Sequence, residues 1–144
     1  MKAQEANLLS FLKKEHQFTI PIYQRTYSWT HVQCRQLWED ICRAGSSDLT
    51  AAHFIGSVVY IEESLYHASS LTPLLVIDGQ QRLTTVSLLI EALARHLEES
   101  GPMEGLTSRK FREYYLINYL EQGADRYKLL LTQTDQATLE ALLK

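Results

Sequence analysis

Val76-Ile-Asp-Gly-Gln-Gln-Arg-Leu-Thr-Thr85 is the stretch on which the reading of the chain turns. Leu74–Ile77 is a short apolar run of strand type, and Asp78-Gly79 breaks it. Beyond the break, Leu83, Val86, Ile90, Leu93 and Leu97 recur at spacings of three and four, which predicts a helix over 80–99 with one buried stripe. Asp78 stands where it can cap that helix, Gln81 holds the matching capping-box position, and Gly101-Pro102 stops it. A strand, a tight turn and a helix therefore follow one another directly.

The flanking sequence fills in around this unit. Phe54–Ile61 is β-branched and aromatic, and its near-continuous apolarity predicts a strand buried on both faces. Glu62–Thr72 reads as a polar loop, so strands 54–61 and 74–77 can pair antiparallel. A strand is expected at 18–22, with Pro21 at an edge or at its end. Thr30 and Gln33 form a capping box for a helix over 31–44, closed by Gly45-Ser-Ser-Asp48. Further helices are expected over 3–13, 107–121 and 135–144, and a weak strand at 126–131. Few strands among several helices make an α+β fold.

The chain has 144 residues, a length that suits one domain and needs no disulfide or metal to fold. Seventeen acids against 14 strong bases, a formal charge of −3, argue against a simple DNA-coating surface, although a local basic patch remains open. No apolar run approaches the length of a bilayer span and the N-terminus has no signal core, so a cytoplasmic protein is expected. Leu139–Lys144 is helix-like with no stop signal, which suggests a piece of a longer protein. Cys34 and Cys42 fall on one helix, more than about 10 Å apart along its axis, too far to bridge, and read as two small buried hydrophobes. The histidines, His16, His31, His53, His67 and His96, show no HExxH and no zinc-type spacing, so no metal site of protein ligands is expected.

Two segments carry chemistry. At 76–85, a strand running into a helix N-terminus presents unpaired N–H groups and a positive partial charge, a seat for an anion such as phosphate. Gly79 allows close approach, Gln80 and Gln81 offer amides, and Thr84 and Thr85 add hydroxyls one turn in. Arg82 opposes the helix dipole there, at a cost of a few tenths to about 1 kcal/mol. A bound phosphate reverses that sign; pairing with Asp78 or another carboxylate is the alternative. Asp78 is either a plain cap or the group that holds an attacking or metal-bound water. At 20–29, Ile-Pro-Ile-Tyr-Gln-Arg-Thr-Tyr-Ser-Trp sets Tyr23, Gln24, Arg25, Tyr27 and Trp29 just after a strand, where aromatics and an arginine can stack a base and bind a phosphate, or simply pack as core. Gly56 marks a bulge or a close ligand approach, and His53 has no evident partner.

Together, IPIYQRTYSW, then FIGSVVY, then VIDGQQRLTT resemble the N-terminal domain of GmrSD-type, modification-dependent restriction proteins, which is related to the ParB/sulfiredoxin-like fold and known by its DGQQR motif. The resemblance runs in order from about Leu8 to Leu97 and extends weakly to Tyr127–Leu143. It implies a small ParB/sulfiredoxin-like sheet and nucleotide handling. Asp78, Gly79, Gln80, Gln81 and Arg82 become the nucleotide site, with Asp78 and Arg82 as its catalytic pair, and Tyr23, Gln24 and Arg25 its second wall. It also implies an NTP cofactor with Mg²⁺, a C-terminal or separate HNH-type nuclease, and modified DNA as a partner of the full-length protein. The five histidines here do not form an HNH pattern, so this chain is expected to be the sensor or NTPase part. Three functions follow as expectations: an NTP-hydrolysing regulatory domain, a ParB-like nucleotide-gated or DNA-sensing module without turnover, or an interaction scaffold in which Gln24, Gln80 and Arg82 are satisfied by protein partners and face no cavity.

Overall fold

In the computed structural model, which describes residues 3–49, 52–62 and 71–144, a mixed four-stranded sheet is packed with five α-helices. In chain order these are α1 (Leu8–Lys13), β1 (His16–Thr19), α2 (His31–Gly45), β2 (Val59–Glu62), β3 (Thr72–Asp78), α3 (Gln80–Ser100), α4 (Ser108–Tyr115), β4 (Leu129–Leu130) and α5 (Gln133–Leu142). The strand order is β2-β3-β1-β4, with β1 parallel to both β3 and β4 and β2 antiparallel to β3. The fold is α+β, as expected. None of the described helices is long and apolar enough to cross a membrane.

The core lies where α3 covers the sheet. Phe18 of β1 and Leu74 and Val76 of β3 are fully buried and meet Leu83, Val86 and Ile90 of α3. Each such side chain contributes about 1.5–3 kcal/mol on burial. The predicted stripe is correct at these positions but not at Leu93, which is 38% exposed. Ala94 and the charged Glu91 take the inner face instead, because α4 packs there with an arginine. Gln17, beside Phe18, is buried as well, and its Nε2 donates to the carbonyls of Ala124 and Tyr127, both at 3.0 Å. A polar residue can occupy the central strand because those two bonds satisfy it.

Several predicted boundaries move. The helix expected over 3–13 begins only at Leu8, because the Asn7 side chain caps it by accepting from the Ser10 N–H. The strand expected at 18–22 is His16–Thr19; Pro21 ends it, and its carbonyl accepts from the Gln24 N–H to close a turn. The strand expected at 54–61, buried on both faces, is an edge strand of four residues; Ile61 is 55% exposed, and Phe54 lies outside any strand and is 82% exposed. Its predicted antiparallel partner is correct, while most of the loop expected at 62–72 lies outside the described residues. The helix expected over 107–121 stops at Tyr115, since the Asn118 N–H turns to the Arg126 carbonyl and Ile117 bridges to Tyr127. The strand expected at 126–131 shrinks to Leu129–Leu130, and the last helix spans Gln133–Leu142. The helix expected over 31–44 forms as Gln33 Oε1 accepts from the Thr30 N–H. Cys34 is only half-buried and Cys42 is exposed, so they are not the buried pair expected. His53 does have a neighbour: its Nε2 lies 3.8 Å from Asp40 Oδ2.

Lys128, just before β4, is 4% exposed, and its Nζ donates to the carbonyls of Leu12 and Lys14, both at 2.8 Å. It thereby ties the end of α1 to the amino end of β4. Burial pushes its ammonium down from 10.5 to about 8, against the pull of Glu15. Between those values the unfolded chain binds more protons than the folded one, so this residue makes stability rise with pH, by about 3 kcal/mol at most. Urea unfolding at about pH 7.5 and about pH 10 is expected to show the wild type gaining stability relative to Lys128→Met. Parallel pH profiles for the two proteins would contradict the assignment.

Candidate functional site

The two motif segments meet at the carboxyl ends of β1 and β3, the end of a parallel pair where open α/β sheets place their ligands. The turn into α3 differs from the expected capping box. Gly79, in the left-handed region at φ 95°, is the N-cap. Asp78 caps nothing further along the helix; its Oδ1 accepts from the Gly79 N–H at 2.8 Å. The turn demands glycine twice over. A Cβ at Gly79 would also lie 2.9 Å from the Ser57 carbonyl oxygen and 3.1 Å from Val58 Cα. No side chain caps α3, no acid stands in its first turn, and the N–H groups of Gln80, Gln81 and Arg82 find no acceptor among the described residues. The positive end of a 21-residue helix is left open.

Gln81 is not free to cap because it does something else. It is 6% exposed, and its Oε1 accepts from the N–H groups of Ser28 (2.7 Å) and Trp29 (3.2 Å) while its Nε2 donates to the Thr26 carbonyl (3.1 Å). One amide thus clamps the first segment against α3. Gln24 and Gln80 complete the join: Gln24 Nε2 donates to the Ile77 carbonyl at 2.9 Å, and its Oε1 accepts from Gln80 Nε2 at 3.3 Å. Tyr27 is the third anchor. Its N–H donates to Asp135 Oδ2 of α5 at 2.6 Å, and its hydroxyl shares hydrogen bonds with Thr85 Oγ1 (2.9 Å) and Cys34 Sγ (3.3 Å). Burial, and then the bond to Cys34, push the Tyr27 phenol above its ordinary range. Thr84 is buried and its hydroxyl donates to the Gln80 carbonyl at 2.8 Å, so it points into the helix rather than out of it.

What remains outward-facing is a short set. Arg82 makes no ion pair among the described residues, with Asp78 or any other acid; its Nη1 donates to the Ser57 carbonyl at 3.0 Å. Arg25 is exposed with no partner among the described residues, Tyr23 is 72% exposed, and Asp78 is exposed with Oδ2 uncommitted. The cation of Arg82 and the open end of α3 therefore adjoin, with the Asp78 carboxylate at the turn between β3 and α3 and Arg25 exposed on the segment that Gln81 clamps. The expected site residues do come together, in two roles: Gln24, Gln80, Gln81 and Thr84 are spent on protein groups and build the surface, while Tyr23, Arg25, Asp78, Gly79 and Arg82 face outward. Gln24, Gln80 and Arg82 have protein partners, as the scaffold expectation required, but among the described residues Arg82 uses only one of its five N–H groups.

Sequence reasoning missed Asp135, 108 residues from Tyr27, and the Ser57 carbonyl, since no local pattern marks either. Among the described residues no three His, Cys, Asp or Glu side chains gather as a metal-ion set. A cleft of about 280 Å³, lined in part by Lys13, Leu71, Tyr114 and Lys128, lies at the opposite, amino-terminal end of the parallel strands and contains no residue of either motif.

No curated protein matches the chain. The family model for the GmrSD restriction endonuclease N-terminal domain matches residues 8–144, which takes in both motif segments, the sheet and the helix that holds Tyr27. The chain belongs to the family of GmrSD restriction endonuclease N-terminal domains.

Proposed function

We propose that this domain seats a nucleoside triphosphate at the N-terminus of α3 and thereby regulates DNA cleavage by a nuclease of an anti-phage restriction system. The observation that supports it is the open helix end with Arg82 beside it and no carboxylate paired to that cation among the described residues. Polyphosphate carries the charge that would satisfy both. Arg25 extends the positive surface, and Tyr23 offers a ring for a base. Phosphate fits the donors present. Mg²⁺ fits only as a companion of the phosphates, since this cation keeps most of its waters and needs one or two carboxylates at most. Asp78 Oδ2 is the carboxylate oxygen available to it, and Mg²⁺ supplies neutralisation of phosphate charge.

Hydrolysis would ask Asp78 to orient a water, since phosphoryl transfer depends chiefly on positioning and charge stabilisation. One observation favours the alternative, a ParB-like nucleotide-gated module without turnover: the Thr84 hydroxyl, which could have joined a metal site, is on a residue only 4% exposed and turns to the Gln80 carbonyl. Phosphate release measured with each NTP and Mg²⁺ on the full-length protein separates the two. Release that is lost in Asp78→Asn supports hydrolysis, and tight binding without release supports gating. Arg82→Ala is expected to abolish nucleotide binding in calorimetry, and unchanged affinity would remove the assignment altogether.

A further inference from the structure

We propose that Gly56, which belongs to neither motif segment, is the positioning residue for Arg82: the bare backbone of Gly56 and Ser57 forms a saddle that fixes the guanidinium beside the open end of α3. The proposal rests on reading that helix end as the triphosphate seat. Its geometry is direct. A Cβ at Gly56 would lie 2.4 Å from Arg82 Cζ, 2.5 Å from Nη2 and 2.7 Å from Nη1, so the guanidinium occupies the space a side chain would need. Gly56 also holds φ at +112°, a conformation that L side chains rarely adopt. The next carbonyl, of Ser57, accepts from Nη1 at 3.0 Å. That same oxygen lies 2.9 Å from where a Cβ on Gly79 would stand. One stretch of backbone is thus held between the cation and the turn that opens α3.

The saddle fixes the cation without neutralising it. A carboxylate in place of the Ser57 carbonyl would hold Arg82 as firmly but would cancel the charge a phosphate needs. Nε and Nη2 keep their hydrogens free of acceptors among the described residues, so the fork stays available. Ordering a long side chain opposes binding when it must happen on ligand arrival; here folding has already done it. Glycine is required at position 56 by its φ of +112° whatever the space, and a side chain there would in addition push the guanidinium off this seat.

The test is a four-protein cycle: wild type, Gly56→Ala, Arg82→Ala and the double variant. Each is titrated with ATP and with GTP in the presence of Mg²⁺, and each is unfolded in urea with no nucleotide. Gly56→Ala is expected to weaken nucleotide binding about tenfold or more. It is also expected to destabilise the wild type more than the Arg82→Ala background, where only backbone strain remains. Equal destabilisation in both backgrounds would overturn the saddle, as would wild-type affinity in Gly56→Ala when Arg82→Ala has lost binding. Should Gly56→Ala fail to fold, the double variant, from which the clashing group is gone, is expected to fold; its failure too would overturn the proposal. The unfolding cycle decides the contact without nucleotide, whereas a wild type that binds neither ATP nor GTP would remove the triphosphate reading.

Discussion

Gln81→Leu is expected to cost about 3 kcal/mol of stability and to detach the first motif segment from α3. Leucine keeps most of the volume, so the loss traces to hydrogen bonds. The Ser28 and Trp29 N–H groups lose their shared acceptor, and the Thr26 carbonyl loses its donor. Three orphaned groups at about 1–3 kcal/mol each would exceed this figure if all were sealed from water. Ser28 and Thr26 are exposed, however, and can turn to solvent, which brings the sum down. Amide hydrogen exchange supplies a local check: Ser28 and Trp29 should exchange far faster in the variant. Unchanged exchange at both amides would show that the side chain is not the clamp.

Arg112→Ala is expected to destabilise the protein by about 3–5 kcal/mol near neutral pH. Glu91 is 4% exposed on α3, and Arg112 of α4 meets it with two hydrogen bonds, Nε to Oε2 and Nη2 to Oε1, each 2.8 Å. Arg95 Nε adds a third at 2.8 Å, and Glu98 holds the far side of the Arg112 guanidinium. Removing Arg112 leaves a buried carboxylate with one remaining cation, which places the effect toward the lower end of that range. Burial alone would raise the Glu91 carboxyl, but the bonds from Arg112 and Arg95 outweigh it and hold it below 4.5. An acid depressed on folding stabilises above its unfolded pKa, and that contribution is lost as pH falls through the folded value. The gap between wild type and Arg112→Ala should therefore narrow below about pH 4.5. Replacing Glu91 and Arg112 together by leucine should recover most of the loss. A gap that stays constant across the acid range, or a double variant as unstable as the single, would contradict this account.

The sequence was most legible where one residue type decides the backbone. Gly101-Pro102 ended α3, Thr30 and Gln33 started α2, and the alternation of a strand, Asp-Gly and a helical stripe located the turn at 78–80. It was least legible where a distant partner decides. Leu93 fits the periodic stripe, yet Glu91 and Ala94 are inside, because Arg112 makes a buried acid tolerable. Phe54–Val58 has the apolarity of a strand but joins none among the described residues; Gly56 takes a φ of +112°, and the Ser57 carbonyl accepts from Arg82. At the site, the motif residues were found but their duties were not separable by eye. Gln81 and Arg82 are neighbours of equal prominence in the sequence, and only packing shows that one faces inward as a clamp and the other outward as a cation.

The tether between Tyr27 and Asp135 sets a timetable as well as a shape. These residues are 108 apart in sequence, and the bond from Lys128 to Leu12 spans 116, so the earliest-made segment is anchored by the latest. Translation proceeds from the N-terminus at about 5–20 residues per second, and contacts this distant in sequence form slowly even in a finished chain. Both motif segments leave the ribosome seconds before α5 exists to hold them. A nascent chain therefore passes through synthesis with the surface around Arg82 unanchored, until the segment that carries Asp135 has been made.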